Sequence, residues 1–232
     1  MQKVAPPAPV ARRDALALDG FSFAVANLQT GFGPFLAVYL TAHKWTQSDI
    51  GLVLSVTGFT SLLVQIPAGA VVDGFARRKA LALLAVAGIG ASALLIALAP
   101  TFLAILVAKL VHVVSSSLLG PAFLLLTLAT VGHVGLAERL GRNARFAGLG
   151  NGAAALAMGA IGTSFSPQSV FLVTAGLALP TLAALWLLTD RPVALRERHD
   201  VERGSLMGLL LDPAVRTVML ALVLFHFGNA AM

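Results

Sequence analysis

The amino-acid sequence predicts an all-α, polytopic membrane bundle: six transmembrane helices followed by the start of a seventh. Three observations carry that expectation. Apolar residues make up 58% of the 232 positions and charged residues 11%, against roughly 25% charged in soluble domains. Six stretches of 19 to 31 residues contain no charge except one lysine, and a helix needs ~20 apolar residues to cross the hydrocarbon core. No period-two alternation runs through them, as a transmembrane barrel requires. So little charge cannot coat a water-soluble globule of this size, which excludes an ordinary soluble enzyme.

The first stretch, Gly20 to Thr41, has 22 residues. It is too long for a signal-peptide core, and no small-residue cleavage site closes it. Residues 1–14 ahead of it hold Pro6, Pro7 and Pro9 and are expected to form a disordered leader. The second stretch, Ile50 to Val72, lies between Asp49 and Asp73, and the third, Ala80 to Ala99, is closed by Pro100. The fourth, Thr101 to Val131, is interrupted only by Lys109 and His112. The fifth is Phe146 to Phe165 and the sixth Val170 to Leu188, so residues 15–188 form the six-helix body. Residues 189–214 mix both signs of charge and read as a linker, with Ser205 placed to cap a short surface helix through Leu211. Hydrophobicity resumes at Thr217 and runs 16 residues to Met232. Residues 215–232 therefore read as a seventh span that starts and does not finish.

Charge sets the orientation. Lys3, Arg12 and Arg13 precede the first span; Arg77, Arg78 and Lys79 join the second to the third; Arg139, Arg142 and Arg145 join the fourth to the fifth; Arg191, Arg196, Arg198, Arg203 and Arg216 follow the sixth. These are 14 of the 16 basic residues, all on one side of a six-span zigzag, with only Lys44 opposite. Basic connections stay in the cytoplasm, so the leader and the linker are expected inside a cell (cytoplasmic or inner) membrane. The lipid bilayer thus accounts for the net charge of +6 without a nucleic-acid partner.

The connection between the second and third spans reads Gly69-Ala70-Val71-Val72-Asp73-Gly74-Phe75-Ala76-Arg77-Arg78-Lys79. It resembles the signature loop of the major facilitator superfamily, Gly-x-Leu-Ala-Asp-Arg-x-Gly-Arg-Lys. Gly69, Asp73, Arg77 and Arg78 match, whereas Gly74 stands at a usually basic position and Ala76 at a usual glycine. Six spans, a mixed-charge linker and a new span are similar to the first half of such a transporter. The resemblance implies two inverted three-helix repeats, alternating access for a small solute, a missing C-terminal half as partner, and a gating latch at these four residues. A plain topogenic loop is the alternative, since Arg77 to Lys79 alone would hold orientation.

In the fourth span, Leu106 to His112 resembles the family's Leu-x-x-Arg-x-x-Gln pattern, with Lys109 for the arginine and His112 for the glutamine. At 100° per residue Lys109, His112, Ser116 and Gly120 share one narrow face. An intramembrane lysine costs ~2.5–3.5 kcal/mol on insertion scales, so it is expected to face protein or a water-filled cavity. Lysine can shed its proton when buried, as arginine cannot, and histidine titrates near neutrality. Substrate recognition or proton handling competes here with snorkelling of Lys109 to the outer surface, ~12 Å away.

Asn27 and Thr30 share a face of the first span, and Asn151 lies in the fifth; each is a candidate for the same path or for a packing hydrogen bond. Gly33-Pro34 and Gly120-Pro121 are candidate kinks in the first span of each three-span unit. In the fifth span Gly148, Gly152, Ala155, Gly159 and Gly162 form a small-residue stripe, which lets a neighbouring backbone approach. The resemblance places that helix between the two halves. Proton-coupled efflux is one subclass it includes, although no proline falls in the fifth span before Pro167.

No enzyme motif is present. Gly148 to Gly152 lies inside a span rather than after a strand, no phosphate-loop lysine exists, and the chain has no cysteine. The histidines form no metal-spaced pair, so neither metal nor cofactor is implied. All 10 acids sit in connections or at span ends, so proton coupling falls to His112, to an edge residue such as Asp19, or to the missing half. The rival to a transporter is a self-contained six-span protein, either an oligomeric channel or a membrane-embedded enzyme.

Overall fold

The structure, a computed structural model, describes residues 10–190, Gly208 and 211–230. It divides into two compact units, Met1–Val193 and Ala194–Met232.

The regular elements among the described residues of the first unit are all helices: α1 (Arg12–Thr30), α2 (Pro34–Ala42), α3 (Gln47–Gly74), α4 (Arg78–Leu98), α5 (Phe102–Ser164) and α6 (Pro167–Leu187). Five helical segments are long and apolar enough to cross a membrane, with α1 and α2 counted as one. Polar side chains start three of them: Thr46 accepts from Asp49 N–H at 3.1 Å, Thr101 from Ala104 N–H at 3.4 Å and Ser166 from Ser169 N–H at 3.2 Å.

The expected kink at Gly33-Pro34 is a full break, because Pro34 lacks the N–H that would continue α1 and instead opens α2. Gly120-Pro121, by contrast, stays helical within α5. The interruption in that helix lies at Gly132, whose φ of 70° is left-handed backbone that a glycine adopts without steric cost. A straight 63-residue helix would extend ~95 Å. Here it folds back on itself: Asn143 Nδ2 donates to Thr127 Oγ1 at 3.4 Å, although 16 residues separate them. One arm therefore precedes Gly132 and a second follows it.

Hydrogen bonds sort the helix ends into two groups. At one end Lys79 of α4 donates to the Trp186 and Leu188 carbonyls at the C-terminal end of α6, Asp14 of α1 accepts from Thr189 N–H, and Asp19 meets the second arm of α5. At the other end Trp45 Nε1 donates to Pro100 O at 3.3 Å and its ring stacks on Phe102, while Gln168 donates to Ala97 O. Successive segments therefore run up and down.

The core lies along α4. Ala82, Val86, Ile89, Ala93 and Ile96 recur at steps of three and four and are fully buried against α5 and α6. Outward, Leu84, Leu103, Leu156 and Leu179 are each more than two-thirds exposed. Such an apolar outer surface suits lipid and not water.

Two expected boundaries are corrected. Residues 12–14 belong to α1 and not to the leader, since Asp14 in the first turn suits the helix dipole and is tied to Thr189. Arg139, Arg142 and Arg145, expected in the connection ahead of a fifth span starting at Phe146, lie on the second arm of α5, which is helical after Gly132. In the second unit α7 (Pro213–Ala230) starts two residues earlier than expected. Asp212 Oδ1 accepts from Ala214 N–H at 2.8 Å, and Pro213 fits the first helical position. The linker's Ser205 cap lies outside the described residues.

Candidate functional site

Two polar stripes face each other across a groove between α3 and the first arm of α5. Thr57, Ser61 and Gln65 come from α3, and Lys109, His112 and Ser116 from α5. Steps of three and four keep each set on one helix face. The groove encloses about 660 Å³, within the ~300–1,000 Å³ of small-molecule sites.

Lys109 is only 8% exposed. Its side chain does not run to the surface; Nζ lies 5.8 Å from the centre of the Phe32 ring. Among the described residues, both ion pairs belong to Asp19, and no carboxylate lines the groove. The break between α1 and α2 delivers Phe32 to this point. The same ring stacks on His112, with centroids 3.8 Å apart and planes at 24°. A cation over a desolvated ring gains ~2 kcal/mol or more, so Phe32 partly offsets the burial of the ammonium. His112 Nε2 lies 3.4 Å from Ser116 Oγ, and its Nδ1 is buried with no hydrogen-bond partner among the described residues.

The five residues expected on a substrate or proton path fall into two places. Lys109, His112 and Ser116 meet at the groove. Asn27 and Asn151 lie instead where α1 packs on the second arm of α5: Asn27 donates to Phe23 O at 2.9 Å, and Asn151 Oδ1 accepts from Thr30 Oγ1 at 3.1 Å.

The small-residue stripe is open. A methyl added at Gly148, Gly152 or Gly159 meets nothing within 4 Å, and one at Gly162 meets Val170 at 3.3 Å. The close approach is one face over, at Gly150, where a methyl would collide with the Phe23 carbonyl of α1.

Of the four gating-loop residues, Gly69 and Asp73 fall in the last turns of α3, Arg77 joins the helices and Arg78 begins α4. Asp73 is exposed and makes no ion pair among the described residues. Arg78 Nε is buried with no partner among the described residues.

Asp19 anchors a second polar centre. Arg139 donates to it at 2.6 Å and to Ala15 O at 3.3 Å, and Arg142 donates to it at 2.6 Å. Arg139 Nε also donates to Asn143 Oδ1 at 2.8 Å. Sequence reasoning named Asp19 only as an edge residue. Its available signal was one acid at the start of the first span, opposite arginines spaced three apart. The α3 stripe was also missed, although Thr57, Ser61 and Gln65 recur at steps of four in an apolar run. Phe32 carried no signal beyond its place in the Gly31-Phe32-Gly33-Pro34 break.

The sequence profile of the Major Facilitator Superfamily matches residues 18–232. Two relatives from Mycobacterium tuberculosis, of strains CDC 1551 / Oshkosh and H37Rv, are each described as an uncharacterized MFS-type transporter. Each is 36% identical over 234 residues, covering 95% of this chain and 55% of the relative. The chain thus spans about half the length of the curated relatives it matches. With an apolar helical bundle, a buried lysine on a polar groove and a profile match over nearly its whole length, this membrane protein belongs to the major facilitator superfamily of transporters.

Proposed function

We propose that residues 15–188 are the first six-span half of an alternating-access transporter, with the groove between α3 and α5 as its solute site. On this reading α1 and α2 form one span, the two arms of α5 form two, and the segments make two inverted three-helix repeats. α7 begins the second half. Lys109 is the observation that carries the reading: an intramembrane charge is costly, and here it lies buried on a groove lined by hydroxyls, an amide and an imidazole. The open stripe at Gly148, Gly152 and Gly159 fits a helix of the second half. Gly69, Asp73, Arg77 and Arg78 act as the cytoplasmic latch, their free charges engaging that half in one state and releasing it in the other. Asn27 and Asn151 line the seam along which α1 and the second arm move together. Proton-coupled efflux rests on His112 within this half. The N-terminus lies in the cytoplasm.

Cells expressing the transporter with and without Lys109→Ala test this. Untargeted mass spectrometry should find at least one small solute whose distribution across the membrane depends on Lys109, at equal amounts of inserted protein. Reconstitution of the 232-residue chain gives the second arm of the test. Saturable uptake should require a supplied second half. Uptake by this chain alone would favour a six-span oligomeric channel or carrier.

A further inference from the structure

We propose that the solute is an organic anion with a single negatively charged group, held by the Lys109 ammonium. This rests on the groove being the solute site. Four observations lead to it. Lys109 is 8% exposed, so its charge is poorly screened. No carboxylate lines the groove among the described residues, so nothing there neutralises it or attracts a cation. The remaining polar groups are Thr57, Ser61, Gln65, His112, Ser116 and Ser117, which can hydrogen-bond to a neutral body without adding a second fixed charge. A volume of about 660 Å³ far exceeds an inorganic ion, so the charge is one end of a larger molecule.

Depth separates a solute from a lipid headgroup. Lys109 is seven residues into α5, which begins at Phe102. That is ~10 Å from the helix start, about a third of the way through a ~30 Å hydrocarbon core. Headgroups stay at the interface, and their phosphates do not reach this level. Lysine is a compact point charge, so the site recognises the sign of the group more than its shape.

The absence of native cysteine allows a direct test. Val113 lines the groove one helical turn from Lys109, at a Cβ separation of about 6 Å. Val113→Cys, in phosphatidylcholine nanodiscs, is reacted with three methanethiosulfonates: anionic sulfonatoethyl, cationic trimethylammonioethyl and neutral methyl. Rates are normalised to free cysteine. The anionic reagent should win over the cationic one by about tenfold, equivalent to ~1.4 kcal/mol. The preference should fall to about one in Lys109→Gln and survive in Lys109→Arg. Reaction with the neutral reagent without an anionic preference overturns the anion and leaves the groove as the solute site. Failure of all three reagents means that water does not enter, and overturns the solute site itself.

Discussion

Phe32 lies against both His112 and Lys109: its ring stacks on the imidazole at 3.8 Å, and the lysine Nζ sits 5.8 Å from its centre. One aromatic side chain, set free of helical geometry by the break before Pro34, thus supports the two titratable groups of the groove. Its replacement gives the first prediction. Phe32→Leu keeps an apolar group in the core but removes the stack and the cation–π contact. A loss of ~0.5–1.5 kcal/mol is expected, read as a lower midpoint in thermal unfolding of the purified protein. Phe32→Leu combined with Lys109→Met should lose less than the sum of the two single changes.

Glycines one face apart should behave differently. Gly150→Ala places a methyl against the Phe23 carbonyl and 3.0 Å from Ala26 Cβ. The overpacking should cost ~1–3 kcal/mol. Gly152→Ala meets nothing within 4 Å and replaces glycine in a helix, so it should be neutral or stabilising by up to ~1 kcal/mol. Thermal unfolding of the 232-residue chain separates the two. Equal losses would contradict the close contact of α1 with the second arm of α5.

The arginines around Asp19 should also differ. Arg139 is 7% exposed and Arg142 half exposed at the side chain. Asp19→Asn leaves a buried guanidinium without its counter-charge and should cost ~3–5 kcal/mol. Arg142→Gln removes a solvent-screened partner and should cost at most ~1 kcal/mol. Asp19→Asn with Arg139→Met should recover much of the single-mutant loss. Unfolding midpoints of the three variants and the parent chain in one detergent provide the comparison.

Asp73→Asn should leave stability within about 0.5 kcal/mol, as for other exposed positions, because Asp73 is exposed and makes no ion pair among the described residues. Under the latch reading, transport by the whole protein should nevertheless fall at least tenfold. Normal transport would reduce the loop to an orientation signal.

Orientation is open to labelling in intact cells. Lys44→Cys should react with an impermeant maleimide added outside, and Ala76→Cys only after permeabilisation. The reverse pattern would invert the bundle.

The architecture was largely legible because lipid imposes a simple rule: apolar runs of sufficient length become helices, and Pro34, Thr46, Thr101 and Ser166 mark where they start. The turn between the arms of α5 was less so. Gly132 is one glycine among 22, and only its backbone angles distinguish it from Gly120, which stays helical. Lys109, His112 and Ser116 were legible as a set because spacing puts them on one face. Their relation to Phe32 and to α3 depends on how helices rotate against one another, which no single-helix period contains. The separation of Asn27 and Asn151 from the groove has the same cause.

The bond between Asp19 and Arg139 spans 120 positions of chain. At ~5–20 residues per second of synthesis, roughly 6–24 s pass between the making of one partner and the other. During that interval the segments containing α1, α3, α4 and the first arm of α5 have been made, while the carboxylate of α1 still lacks its buried partner. α1, made before α3, α4 and the first arm of α5, is thus secured after them at this end. A nascent chain stopped before Arg139 should keep α1 mobile at that end, and the delay gives quality-control proteases a defined moment at which an unfinished bundle differs from a finished one.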